Sequence, residues 1–539
     1  MSIVSNPILS GFNPDPSIIR VGRDYYIATS TFEWFPGVQI HHSTDLVNWE
    51  LVARPLNRLS QLDMRGNPDS CGVWAPCLSY DDGTFYLVFS NVRSFDGVWK
   101  DTPSYLVTTD DILGDWSDPI FLSSTGFDGS MFHDSDGRKW FTSMQVDQRK
   151  GKFFGGIILQ EYDTNRGKLI GPMHHIFEGT SLGITEAPHI YQRNGYYYLI
   201  TAEGGTEYGH AVSLARSTAI TGPYEVHPAN PIISVRDHPD APLQKCGHAD
   251  LVETPDGEWF CVFLVGRPLT ELGRCTLGRE TAIEQVVWKE DDWLYLSHDG
   301  YPRQKFDIRG LSHQIEAYSD DSKSSQSRND FDDDIVDINF QSLRIPMSDE
   351  WISLRARAGY LRLFGRQSLS SLHHQSLIAR RVQHFNIEAA TCVEFSPAFF
   401  QQLAGLVCYY NTTHWYYLNI QGGEQNEVKK KLLQITACDN YNMTDLLAEP
   451  IDITEADRVY LKVHFHRAHL QFYYATVENE WIAVGGVLDG SILSDDYVQH
   501  GGLQYRAAFT GAFVGICCQD LSGLSLHADF DWFEYRELN

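Results

Sequence analysis

Apolar and polar positions along this chain alternate in short runs, and the turns that break those runs recur. Five segments pass through a turn into an aromatic or apolar strand: Arg23-Asp24-Tyr25-Tyr26-Ile27, Asp82-Gly83-Thr84-Phe85-Tyr86-Leu87, Asp136-Gly137-Arg138-Lys139-Trp140-Phe141, Asn194-Gly195-Tyr196-Tyr197-Tyr198-Leu199 and Asp256-Gly257-Glu258-Trp259-Phe260. Asp-Gly or Asn-Gly between apolar runs is a strong hairpin signal. Gly83, Gly137, Gly195 and Gly257 stand 54, 58 and 62 residues apart, a period that predicts propeller blades, one four-stranded sheet per repeat. A second unit repeats in step: Ser43-Thr44-Asp45-Leu46-Val47-Asn48-Trp49, then Thr109 to Trp116, then Ser217 to Tyr224. It reads as a strand end, a turn and an aromatic that opens the outer strand, with the aromatics expected to pack between blades.

The strand pattern runs to about residue 315 with almost no 3.6-residue period. Ser319 to Ser327 then lacks apolar residues and reads as a linker. Beyond it, runs such as Trp415-Tyr416-Tyr417-Leu418-Asn419-Ile420 and Val459-Tyr460-Leu461-Lys462-Val463-His464-Phe465 alternate again without the hairpin repeat, which suggests a β-sandwich. The expectation is an all-β chain: a propeller over 1–315, a linker over 316–330 and a sandwich over 331–539.

The repeat also locates chemistry. Nine residues before the turn glycines stand Trp74, Asp128, Glu186 and His248, and Asp15 occupies the same place in the first repeat to within one residue. Equivalent positions in a propeller face one spot on the axis, so three carboxylates, an indole and an imidazole are expected around one channel mouth. Paired carboxylates across a pocket are what glycoside hydrolysis needs: one protonated to serve the leaving oxygen, the other ionised to activate water or attack the sugar. Surroundings must push the two pKa values apart, and a third acid nearby does so by repelling the ionised form. Pro14, Pro16 and Pro188 stiffen the segments that carry Asp15 and Glu186. Taken singly the residues have plainer readings. Asp in Asn-Pro-Asp-Pro is a turn former, His248 a structural histidine or metal ligand, and Trp74 a core residue.

Charge and cysteine usage narrow the context. At 539 residues the chain exceeds one ordinary core. A net charge of −28 argues against nucleic acid or an anionic membrane as partner. No run of about 18 apolar residues is present to span a bilayer, and no basic-then-apolar leader opens the chain. The ten Cys have no framework spacing, and Cys71 and Cys77 lack a His pair for zinc. The pattern reads as a cytoplasmic protein.

Asn13-Pro14-Asp15-Pro16-Ser17, Gly72-Val73-Trp74-Ala75-Pro76, Gly126-Phe127-Asp128-Gly129-Ser130, Thr185-Glu186-Ala187-Pro188-His189, Gly247-His248 and Leu277-Gly278-Arg279-Glu280-Thr281 resemble glycoside hydrolase family 43. Nearly the full length is similar to the long β-xylosidases of that family, and Phe340-Gln341-Ser342-Leu343-Arg344, Ala379-Arg380-Arg381 and Phe509 to Gly515 carry the likeness into the second part. The resemblance implies a five-bladed β-propeller followed by a concanavalin-like β-sandwich. It further implies Asp15 as general base, Glu186 as general acid and Asp128 as the group that raises the acid's pKa and orients it. Inversion at the anomeric carbon is implied, with carboxylates about 6.5–9.5 Å apart to admit water. Arg279 would bind sugar hydroxyls, Phe32 and Trp74 would form an apolar wall, Arg58 would stand at the pocket edge, and Phe509 would help close it. No cofactor is required, although some relatives hold a calcium ion beside the residue matching His248, a weak site for a cation that favours oxygen. The implied substrates are xylooligosaccharides, and relatives of this length form dimers or tetramers.

Three departures stand out: Gln145-Val146 where an aromatic is usual, Cys77 where a polar residue is usual, and a short segment between Arg267 and Arg279. All three are expected to affect the leaving-group side or subunit contacts. The leading reading is an exo-acting β-1,4-xylosidase with α-L-arabinofuranosidase side activity. The alternatives are an enzyme mainly for arabinofuranosides and a xylan-binding protein without turnover.

Overall fold

The computed structural model describes residues 2–149, 153–270, 273–308, 326–425, 428–500 and 506–538. The chain divides into two compact units, Met1–Arg267 with Arg279–Glu316, and Pro268–Gly278 with Ala317–Asn539.

Among the described residues, the first unit holds five antiparallel blades built in chain order. The first is Ser17–Val21, Asp24–Thr29, Gln39–Ser43 and Glu50–Ala53; the second is Gly72–Asp81, Thr84–Val92, Ser104–Thr109 and Ile120–Ser123. The third is Ser130–His133, Lys139–Val146, Phe154–Asp163 and Lys168–Phe177. The fourth is Glu186–Arg193, Tyr196–Glu203, Ala211–Ser217 and Glu225–Val226, with Ile233–Ser234 beside its third strand. The fifth is Gln244–Glu253, Trp259–Gly266, Arg279–Trp288 and Leu294–Leu296. The first two strands of each blade are joined at Gly22, Gly83, Gly137, Gly195 or Gly257, all with φ between 64° and 89°. A Cβ at the first four would meet nothing within 4 Å, so the dihedral, and not space, requires glycine there.

The innermost strands stand side by side around the axis, and the fifth closes against the first: Ser17 Oγ and the Ile18 amide both donate to Asp250 Oδ2, at 2.9 and 2.8 Å. Ser2–Ser5 pairs with Lys305–Ile308, and Asn6 Nδ2 donates to the Ile283 and Arg303 carbonyls at 2.8 Å each, fastening the N-terminal segment to the last blade. The apolar clusters lie between blades, as with Cys77, Val88 and Leu106 of the second against Met131, Phe141 and Tyr162 of the third. Each such side chain contributes about 1.5–3 kcal/mol when fully buried. Trp49, Trp116 and Tyr224 each precede an outermost strand, and Trp116 is buried in the cluster between the first two blades.

The second unit is two antiparallel sheets over one core. One runs Ile352–Ser353, Leu361–Phe364, His527–Glu537, Asn386–Glu394, Arg458–His466, His469–Ala475 and Ile482–Asp489; the other runs Asn442–Asp445, Val428–Asp439, His414–Gln425, Gln402–Asn411, Phe513–Asp520, Leu377–Arg381 and Gln341–Leu343.

Two details correct the expected boundaries. The linker expected over 316–330 lies outside the described residues as far as 325, but Gln326–Asn329 is a strand, paired with Phe533 to Arg536. Its residues are all polar, so alternation gives no strand signal; it fills the part of His527–Glu537 that Leu361–Phe364, paired with residues 527–530, leaves open. The segment Pro268–Gly278 belongs to the second unit: Cys275 N donates to Asp496 Oδ2 at 2.7 Å, and Ala512 N to the Thr276 carbonyl at 2.8 Å.

Candidate active site

One backbone irregularity recurs in all five blades. Asp15, Ala75, Asp128, Ala187 and His248 have φ of 55°, 39°, 54°, 48° and 49°, a left-handed conformation that costs a non-glycine residue on the order of 1 kcal/mol or more. Three of them precede proline, which disfavours the right-handed helical alternative. The repeat therefore aligns Ala75 and Ala187 with the two aspartates and the histidine, not Trp74 and Glu186. The hairpins explain the offset: two-residue turns follow Asp81 and Arg193, with glycine second, and five-residue turns follow His133 and Glu253, with glycine fourth. Trp74 faces Ser90 and Cys77 faces Val88, three steps against two, and Glu186 to His189 faces Ala202 to Ile200 in the same way. One extra residue forms a β-bulge in each strand, and Trp74 and Glu186 stand just before it.

Asp15 is 5% exposed and held on several sides. Ser30 Oγ donates to Oδ2 at 2.6 Å, while Arg279 Nη1 and His248 Nδ1 both lie 3.6 Å from Oδ1. Its neighbour Asn13 is a structural clamp: Gln39 Nε2 donates to its side-chain oxygen at 2.7 Å, Thr281 Oγ1 donates to its carbonyl at 2.6 Å, and its amide donates to the Arg279 carbonyl at 2.9 Å. Arg279 is buried, donates to Thr206 Oγ1 at 2.8 Å, and sits 5.2 Å from the Phe32 ring centre.

Glu186 and Asp128 differ from Asp15 in charge environment. Burial first, and then the charge of Asp15, pushes the Glu186 carboxyl up to about 8, against the opposing pull of Arg279. Asp128 is pushed well above the usual carboxylate range by burial, then by Glu186 and Asp15, and accepts a hydrogen bond from the Ala187 amide. The two carboxyls titrate as a pair, and the named charge raising Glu186 is that of Asp15. The three acids, Arg279 and His248 thus belong to one set of interacting groups.

Aromatic rings line the same region. Phe32 lies 5.7 Å from Phe12 and 5.8 Å from Trp74; Trp74 lies 4.9 Å from Phe95 and 5.3 Å from Phe127, edge-on to the latter. Trp74 Nε1 donates to the Ser70 carbonyl at 2.9 Å, which leaves its ring faces for apolar contact. Burial pushes His248 down to about 4, so it is neutral at ordinary pH. His210, pushed down to about 3 mainly by burial, donates Nδ1–H to the Lys245 carbonyl at 3.1 Å. Its ring lies where a Cβ on Gly247 would be, 2.3 Å away, which accounts for the glycine beside His248.

The other expected residues have surroundings of their own. Arg58 donates to the Trp116 carbonyl at 2.8 Å and lies 3.5 Å from Asp118, joining the loop after the first blade to the outer part of the second. Phe509 is buried and belongs to the second unit, on the segment leading into Phe513–Asp520. Cys77 packs between the second and third blades, its thiol pushed up to about 12 by burial, so it is a core residue and not part of the leaving-group side. Among the described residues no group of three or more His, Cys, Asp or Glu side chains is placed to hold a metal ion. A calcium ion beside His248 would find Asp15 Oδ1 3.6 Å from the imidazole Nδ1 and would depend on solvent for most of the six to eight oxygens it prefers, a poor fit.

Ser30, Thr206, Phe127 and Glu203 are not singled out by sequence reasoning. Glu203 is fully buried and accepts from Thr180 N, Thr180 Oγ1, Thr185 Oγ1 and Ser213 Oγ at 2.5–2.7 Å, pinning the segment that delivers Glu186. Phe127 was legible as the residue between Gly126 and Asp128; the others are single polar residues in strands or loops and carry no motif.

Buried and half-buried acids in unlike surroundings, beside an arginine and an aromatic wall at the inner ends of the propeller blades, define a site of the glycosidase type. The known proteins agree. The family model described as "Glycosyl hydrolases family 43" matches residues 4–294, and that described as "Beta xylosidase C-terminal Concanavalin A-like domain" matches 328–536. "Xylosidase/arabinosidase 43B" of Humicola insolens is 50% identical, over 99% of this chain and 98% of that protein, and "Beta-xylosidase" of Bacillus subtilis (strain 168) is 49% identical over 99% of each. The crystal structure of xylan beta-1,4-xylosidase from Bacillus halodurans C-125 aligns at a TM-score of 0.92 and 49% identity, covering 99% of this chain and 100% of that one. The chain belongs to glycosyl hydrolase family 43.

Proposed function

We propose that the protein is an exo-acting, inverting β-1,4-xylosidase that releases D-xylose from the non-reducing ends of xylooligosaccharides. The observation that carries this reading is the division among the acids: Asp15 faces a guanidinium and accepts a hydroxyl proton, while Glu186 is held protonated up to about pH 8. Asp15 takes a proton from water as its oxygen bonds to the anomeric carbon; Glu186 gives its proton to the glycosidic oxygen as the bond to that oxygen breaks. The products are xylose of inverted configuration and an oligosaccharide one unit shorter, and the proton on Asp15 returns to Glu186 through solvent. Asp128 orients Glu186 through the neighbouring Ala187 amide. Arg279 binds sugar hydroxyls, and Phe32, Trp74 and Phe127 give the ring an apolar wall.

The printed name of the Humicola relative, a xylosidase and arabinosidase, supports a side activity on α-L-arabinofuranosides, whose hydroxyls resemble those of xylose. The intact acid trio weighs against a xylan-binding role without turnover. Ten free, buried cysteines fit a reducing compartment, so we place the enzyme in the cytoplasm, acting on short imported oligosaccharides as a homo-oligomer of the kind usual for relatives of this length. No helix among the described residues is long and apolar enough to cross a membrane.

The test is hydrolysis of 4-nitrophenyl β-D-xylopyranoside and 4-nitrophenyl α-L-arabinofuranoside by the wild type and Glu186→Gln, with proton NMR of the xylose first released from the xyloside. Faster xyloside cleavage, lost in the variant, and α-xylose as first product are expected. Wild-type turnover by the variant overturns the acid assignment, and β-xylose overturns inversion.

A further inference from the structure

Ser30 directly follows the second strand of the first blade, is completely buried, and makes three hydrogen bonds that join the first two blades. Its amide donates to the Pro14 carbonyl at 3.2 Å, holding the backbone that precedes Asp15. Its hydroxyl oxygen accepts from the Ala75 amide at 2.7 Å, so an N–H of the second blade fills one lone pair. The single hydroxyl proton then has one partner, Asp15 Oδ2 at 2.6 Å. Asp15 and Ala75 are two of the five residues held in the left-handed conformation, and Trp74 immediately precedes the second. One side chain thus ties the carboxylate and the strained turn beside the aromatic wall to each other.

We infer that Ser30 is a positioning residue for hydrolysis: it fixes the plane of the Asp15 carboxylate and commits Oδ2 to a hydroxyl, leaving Oδ1, the oxygen that faces Arg279 and His248, to take the proton from water. This rests on the reading of Asp15 as general base. A merely structural serine would affect stability and overall rate. A hydroxyl donated to a carboxylate also favours its ionised form, so its loss moves the pH at which the base becomes active. The charged and titratable groups that act with Asp15 are Arg279, His248, His210, Glu186 and Asp128, and none of them is altered by changing Ser30.

The experiment measures kcat and KM of wild type, Ser30→Ala, Ser30→Thr and Asp15→Asn on 4-nitrophenyl β-D-xylopyranoside between pH 4 and 9. Ser30→Ala is expected to lose about 10- to 100-fold in kcat, the cost of a slightly misplaced catalytic group, with KM changed by less than about threefold. The acid limb of its kcat/KM profile should move up by about one pH unit. Ser30→Thr keeps the hydroxyl and should restore the wild-type acid limb even where its added methyl lowers stability. An unmoved acid limb in Ser30→Ala, with Asp15→Asn inactive, overturns this inference and leaves the base assignment standing. Wild-type turnover by Asp15→Asn overturns the base assignment and the inference with it.

Discussion

At the scale of single residues, the site works by giving chemically similar acids dissimilar surroundings. Burial and the charge on Asp15 raise Glu186, while Arg279 opposes them. A raised carboxyl is protonated below its pKa, so the acid function is present at neutral pH and is lost as pH rises through about 8; kcat/KM is expected to fall on that limb. Asp15→Asn removes the charge that raises Glu186 and keeps the shape. A carbon-13 NMR titration of labelled glutamate should then find Glu186 ionising at lower pH in Asp15→Asn than in the wild type. An unchanged titration would mean that burial alone raises the acid. The three acids were legible in the sequence because each sits in a repeat. Ser30, Thr206 and Glu203 were not, because each acts through hydrogen bonds that spacing along the chain does not reveal, as Ser30 does with Ala75, 45 residues away.

At the scale of the elements, what delivers the site is an irregularity at the end of the inner strands, and the repeat predicted its place to within one residue. The offset at Trp74 and Glu186 comes from shorter hairpins, whose turns hold two residues after Asp81 and Arg193 against five after His133 and Glu253. Spacing from a glycine counts residues and cannot register how long the turn around that glycine is. The loop into the third blade offers a test of how tightly such ends are set. A Cβ on Gly126 would lie 1.7 Å from the Met144 carbonyl oxygen, and the Met144 amide donates to the Phe127 carbonyl at 3.2 Å. Backbone cannot yield as a flexible side chain does. Gly126→Ala is therefore expected to displace Phe127 and Asp128 together, costing about 1–3 kcal/mol of stability and at least tenfold in kcat. Thermal melting and aryl xyloside kinetics on the same preparation check it, and a variant with wild-type values for both would mean that the loop relaxes freely.

At the scale of the whole molecule, periodicity located the propeller and alternation located the sandwich, whereas the boundary escaped both signals because Gln326–Asn329 is polar and Pro268–Gly278 falls within one unit in sequence and the other in space. The acidic balance of the chain then makes its few dense cationic clusters important to stability. One lies on one sheet of the second unit. Glu388 accepts from Arg536 at 2.6 Å and faces Lys462 at 3.2 Å and His464. Burial alone would raise this carboxyl, but the hydrogen bond from His464 and the charges of Lys462 and Arg536 outweigh it and hold it at about 2. A depressed carboxyl stabilises the fold above its ordinary value near 4.5, and that contribution disappears as pH falls towards 2. Glu388 is buried, but His464 and Arg536 reach solvent, which screens the cluster, so its share is about 1–2 kcal/mol. Glu388→Gln should lower the urea midpoint of the second unit at pH 7, where it leaves Lys462 and Arg536 without their anion. The gap from the wild type should narrow steadily between pH 4.5 and 2, since the wild-type side chain becomes neutral over that range. A gap that stays constant across those pH values would assign the effect to packing around residue 388, because only the titrating charge distinguishes the two proteins at one end of the range and not at the other.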